Sequence, residues 1–305
     1  MAAISGAAAA GELAWGGGAW QQPGLLRRVG RLLRGYPLGV FGLLMLIGFI
    51  VLGLFGPALA PYDPRGLRAG SPLGGLSPAH PFGLNNLGED LFSRVLAGAR
   101  TTLTISGTAV LIGGSLGSFI GILSGFYGRW LDYLLQRSGE AFAAFPGLIL
   151  YLMLITAFGR GPKTIVLALA VGGLFGGSRV LRAATIVERH STYVDAARAL
   201  GCSERRVFFR HVVPNVLPLT VVLISSGLGA AILAESGLAF LGLGVAPGTP
   251  SWGIDLSGAN LTFARLGHWN LVVFPGLAIS LAVLGANLLG DALRDIWDPR
   301  LRGRR

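Results

Sequence analysis

Few side chains in this sequence could do chemistry, and their spacing excludes most of it. The 305-residue chain holds four histidines, His80, His190, His211 and His268, and one cysteine, Cys202. No H-E-x-x-H puts two histidines on one helix face for zinc, and no second ligand stands at a usable spacing from His80. A lone cysteine can form neither an intrachain disulfide nor a multi-cysteine metal site. No P-loop, G-x-x-x-x-G-K followed by Ser or Thr, is present to hold ATP. No G-x-S-x-G stands in a strand-to-helix setting. The sequence therefore offers no catalytic, cofactor-binding or metal-binding residue. Two carboxylates beside apolar runs, Glu140 and Glu235, could relay protons. Arg137 precedes Glu140 by three residues, so the two can pair on one helix face. The uncharged run begins only at Ala141, which puts Glu140 at a membrane boundary.

The remaining chemistry is that of docking. Tyr193 to Pro218 reads YVDAARALGCSERRVFFRHVVPNVLP and lies between two long apolar runs. Thr192 and Asp195 have capping-box spacing, which predicts a helix start. Gly201 can end that helix in the left-handed conformation. Ser203 and Glu204 can open a second helix, which carries Arg205, Arg206 and Arg210 beside Val207, Phe208 and Phe209. The expected product is a helix–turn–helix knuckle held between membrane spans.

Composition supplies the spans. The chain is 52% hydrophobic and only 13% charged, with 49 glycines. A soluble domain carries about 25% charged residues, so a polytopic all-α membrane protein is expected. The net charge of +11 does not indicate nucleic acid, because the arginines cluster next to apolar runs. Leu38 to Gly56 is uncharged and as a helix spans roughly 28 Å. That is longer than the apolar stretch of a cleaved leader. Further spans are expected over about Leu103–Phe126, Leu131–Phe158 with a kink at Pro146, Thr164–Ala184, Asn215–Ala234 and Trp269–Leu289. In the second of these spans, Gly113, Gly117, Gly121 and Gly125 recur every four residues and form a smooth stripe for close helix packing. The Gly- and Pro-rich stretch opened by Glu235 reads as a surface or re-entrant segment.

Six spans put both termini on one side. With the amino terminus inside, 18 of the 25 Lys and Arg residues fall on cytoplasmic segments and 7 outside. By the positive-inside rule the knuckle is then cytoplasmic.

Four motifs resemble one known family. Asp195-Ala196-Ala197, three residues, Gly201, nine residues and His211-Val212-Val213-Pro214 keep the spacing of the E-A-A…G…I-x-L-P loop. That loop belongs to inner-membrane permease subunits of ATP-binding-cassette importers. His80 to Arg100, HPFGLNNLGEDLFSRVLAGAR, resembles a segment of the dipeptide, oligopeptide and nickel branch, with departures at Leu84, Asn85 and Glu89. ESGLAFLGLGVAPGTPSWG, from Glu235, and the tail NLLGDALRDIWDPR, from Asn287, resemble two more.

The resemblance implies a type I importer permease fold. It implies an amino-terminal tail over 1–36, a first transmembrane helix over 37–58 and an extracytoplasmic segment over 59–100. The permease core follows over 101–293 with its coupling loop at 185–214, then a tail over 294–305. Asp195, Ala196, Ala197, Gly201, Arg205, Arg206 and Pro214 would couple to ATPase subunits. The implied partners are a second permease, two ATPase subunits, an extracytoplasmic solute-binding protein and membrane lipid, with no nucleic acid. The rivals are an ion-coupled secondary transporter using Glu140 and Glu235, which needs internal repeats that the chain does not clearly show, and an intramembrane enzyme.

Overall fold

The computed structural model describes residues 35–67 and 69–297. Residues 1–34 of the expected tail over 1–36, and the last residues of the carboxyl-terminal motif, Asp298 to Arg300, lie outside these. The described residues form helices, without a β-strand, joined mostly by short connections apart from a long one over 60–90.

Helix α1, Pro37–Leu59, crosses as one apolar rod. Its outward face carries Leu38, Phe41, Leu44, Leu54 and Phe55, all exposed, as expected of a helix bordering lipid. Glycines line its inner face. A side chain at Gly56 would strike the backbone of Leu96, and one at Gly42 would strike Leu288.

Helix α2, Leu91–Tyr127, has 37 residues, roughly 55 Å of helix, and outreaches the hydrocarbon core. It starts twelve residues earlier than the apolar pattern indicates, because the Asp90 side chain accepts from Ser93 N–H and caps it. Its glycine stripe faces α5, Pro162–Arg189. A methyl placed on Gly113 would fall 2.5 Å from the Ala170 carbonyl oxygen, and on Gly125 2.6 Å from that of Arg182. At Gly117 and Gly121 the carbonyls of Leu174 and Ser178 are closer still. Only hydrogen at those four positions permits so close a backbone approach.

The third expected span is interrupted. Helices α3, Arg129–Ala143, and α4, Gly147–Phe158, meet at 90°. Pro146 does more than kink one helix. It lacks the N–H for helix continuation, and its ψ of 132° lies outside the helical region as it caps α4. Among the described residues, five helical segments are long and apolar enough to cross a membrane, and six if the bent pair is one span.

After the knuckle, α8 runs over Val213–Phe240. It extends past Glu235, which the sequence places in a surface segment. In the fold Glu235 lies fully buried within the helix, 3.3 Å from the Ser251 hydroxyl. Two short helices follow, α9 over Trp252–Asp255 and α10 over Gly258–Arg265. The final helix α11, Asn270–Trp297, carries Gly290 to Asp295 as part of the span's own helix, not as a tail.

Candidate functional site

The knuckle is built from α6, Thr192–Ala199, and α7, Glu204–Val207, followed by one π-helical turn over Phe208–Val212 that feeds α8. Thr192 is not the cap. Ser191 holds that position without a side-chain capping bond, so the expected Thr192–Asp195 box does not form. The C-terminal stop forms as a Schellman turn. Gly201 sits at φ +82°, its N–H donates to Arg198 O at 2.9 Å, and Cys202 N–H donates to Ala197 O at 3.1 Å.

Beneath the turn, Val194, Val207, Phe208 and Val212 join Ile122, Phe126 and Leu181 in one buried cluster. The knuckle is thus packed onto the ends of α2 and α5. Arg198 acts as a clamp that the sequence reading missed. Its guanidinium donates to Glu204 at 3.0 Å across the turn, to Asp195 at 3.2 Å and to the Arg189 carbonyl at 3.0 Å. The Glu204 carboxylate chiefly holds Arg198 above its ordinary pKa. Tyr193 is a second tie, donating to Glu188 and accepting from Asn215 Nδ2 at 2.9 Å. The Asp195–Arg198 spacing is visible in sequence, whereas the bond to Glu204 needs the turn.

The expected coupling residues separate into two groups. Asp195, Ala196, Gly201, Arg205, Arg206 and Pro214 are exposed. Ala197 is not on that outward face. Only 8% exposed, it shares the inner side of α6 with Val194. Leu200, 86% exposed, and Phe209, 67% exposed, are the apolar groups the knuckle presents instead.

The opposite end of the bundle joins two of the remaining motifs. His80 Nδ1 lies 2.9 Å from Asp90 Oδ1, beside the cap of α2. Arg94 is buried and placed between Glu89 Oε2 at 2.9 Å and Asp255 Oδ1 at 2.7 Å. Asn85 accepts from the Leu87 and Glu89 N–H groups and donates to the Glu89 carboxylate, so the departures at Asn85 and Glu89 form their own network. Trp252 Nε1 donates to Val95 O, and its ring rests against Gly98. Burial pushes the Asp255 carboxyl up to about 6 against the pull of Arg94. The Arg137–Glu140 pair forms at 2.7 Å and is exposed.

A bundle of long apolar helices with a packed knuckle between α5 and α8 defines a multi-pass membrane protein. Comparison with known proteins specifies it further. Residues 117–303 match the family described as binding-protein-dependent transport system inner membrane component. Residues 24–72 match the N-terminal TM domain of oligopeptide transport permease C. The chain is 36% identical to the glutathione transport system permease protein GsiD of Pectobacterium atrosepticum, over 89% of this chain and 90% of that protein. The GsiD proteins of Escherichia coli O6:K15:H31 and Shigella dysenteriae serotype 1 are 36% and 37% identical, over 85% of this chain and 86% of each relative. The chain belongs to this family: it is an inner-membrane permease subunit of an ATP-binding-cassette importer, of the peptide and nickel branch, and works with other components of such an importer.

Proposed function

We propose that the chain forms half of the translocation path for a peptide or similar small solute, and that its knuckle receives the force of ATP hydrolysed on separate subunits. Its relatives are named for glutathione transport, and glutathione, itself a small peptide, falls in that solute class. The assembly contains a second permease, two ATPase subunits and an extracytoplasmic binding protein. Both termini and the knuckle face the cytoplasm, a reading supported by the distribution of Lys and Arg.

One observation carries the coupling role. The inner half of the knuckle is clamped and packed, yet Leu200 and Phe209 project outward beside Arg205 and Arg206. Large apolar groups on a rigid, otherwise charged tip mark a docking surface. Asp195, Ala196, Gly201 and Pro214 frame that surface, and Ala197 supports it from within.

The test is co-purification of the ATPase subunits with the permease, alongside transport. Gly201→Val forces a β-branched residue to positive φ and should misdirect the turn. Leu200→Glu changes only an exposed side chain. Both variants should insert normally yet lose the ATPases and transport. Full retention of both by both variants would show that the knuckle does not couple.

A further inference from the structure

A second charged region lies at the knuckle end of the bundle, away from the knuckle's tip. Helix α3 and the last turns of α5 border an open cleft of about 580 Å³ lined by Arg129, Asp132, Arg137, Glu140, Arg179 and Arg182, among others. Its charges are partly matched internally. Arg182 makes two bonds to Asp132, at 2.5 and 2.6 Å, and Ser124 also donates to that carboxylate. Arg137 is held by Glu140. Among the described residues, Arg129 and Arg179 have no carboxylate partner, so the cleft retains two uncompensated guanidinium groups. Arg179 and Arg182 are three residues apart on α5, so both face the cleft from one side.

The surroundings are those of a membrane boundary. Trp130 and Tyr133 on α3 are 72% and 70% exposed, and amphipathic rings of this kind concentrate at the headgroup level. Leu134 and Val180, also exposed, flank the arginines and offer an apolar surface for acyl chains. Arginine matches phosphate geometry with paired donors, and basic pockets between spanning helices suit lipid headgroups.

We propose that this cleft binds the phosphodiester headgroup of an anionic phospholipid, with Arg129 and Arg179 as its anion-binding residues. Arg182, fixed by Asp132, shapes the wall between them. The site is separate from the coupling surface and does not depend on that role.

The test uses the full chain in detergent, incubated with short-chain phosphatidylglycerol, phosphatidylcholine or inorganic phosphate, with retained lipid counted by native mass spectrometry. Wild type should hold a single phosphatidylglycerol in preference to phosphatidylcholine. In R129G/R179Q retention should weaken by about tenfold, equivalent to roughly 1.4 kcal/mol. Arg129 sits at φ +55°, so glycine there removes charge without straining the backbone. Single R179Q alters only an exposed side chain, and it should weaken retention in the same direction even if the double variant fails to fold. R205Q/R206Q removes equal charge from the knuckle and should bind as wild type. Equal retention by the wild type and the Arg179 variants overturns the proposal, and is what an acidic protein segment filling the cleft would produce. An equal loss in R205Q/R206Q also overturns it, by showing general charge attraction. So does inorganic phosphate that displaces the lipid at equal concentration, since a free-anion site would then suffice.

Discussion

Arg94 and Asp255 show how one residue pair can hold a motif together. They lie 161 positions apart, yet their ion pair joins the start of α2 to α9. Arg94 is shared by two buried carboxylates, and one Asp255 oxygen has no hydrogen-bond partner, as suits a carboxyl group that protonates readily. Burial raises its pKa from 3.8 to about 6. A raised carboxyl pKa in the fold means that the folded state takes up the proton first. Its stabilising contribution is therefore present at low pH and fades as pH rises between those two values, by at most on the order of 3 kcal/mol. The melting temperature of the purified chain should fall as pH rises through this window. Asp255→Asn should flatten that slope relative to wild type. Identical slopes would mean that Asp255 does not titrate there.

At the scale of elements, the α2–α5 contact organises the bundle. Four glycines in register set the two backbones against each other, so any side chain there must force them apart. Gly117→Leu should reduce thermal stability and the yield of assembled complex. Leucine at Gly107, where an added methyl would meet nothing within 4 Å, should be tolerated. Size-exclusion yield and melting temperature compare the two, and equal behaviour would show that the approach adjusts freely. The knuckle belongs to the same scale. Its Schellman turn is local, but its orientation comes from Phe208 and Val212 packing on Phe126 and Ile122.

For the whole molecule, the proposed topology puts both termini in the cytoplasm, a reading motivated by the asymmetric arginines. A reporter inserted near Ser71 should be extracytoplasmic, and one fused after Arg305 cytoplasmic. Protease protection or a compartment-sensitive enzyme fusion reads this directly, and both reporters on one side would refute six spans. The interrupted α3–α4 pair can supply the sixth span only as a unit, since its 90° bend leaves each half too short to cross alone.

Much of this was legible in the residues alone. Apolar runs long enough to cross a bilayer, the four-residue glycine period and Gly201 as a helix stop are local patterns, and local patterns are what a linear sequence records. The family motifs likewise depend only on order and spacing. Tertiary structure decided what depends on neighbours from elsewhere in the chain. It continued α8 through Glu235 because Ser251 and the surrounding helices cover that carboxylate. It turned Ala197 inward because α6 packs through Val194 onto α2 and α5. It made Arg198 a clamp and Arg94 a bridge, since the partners that satisfy each charge are brought near only by the fold. The sequence by itself determined the class of protein and the order of its spans, because hydrophobic length and charge bias act segment by segment. Which face of each segment is buried was left to the fold, because burial depends on what packs against it.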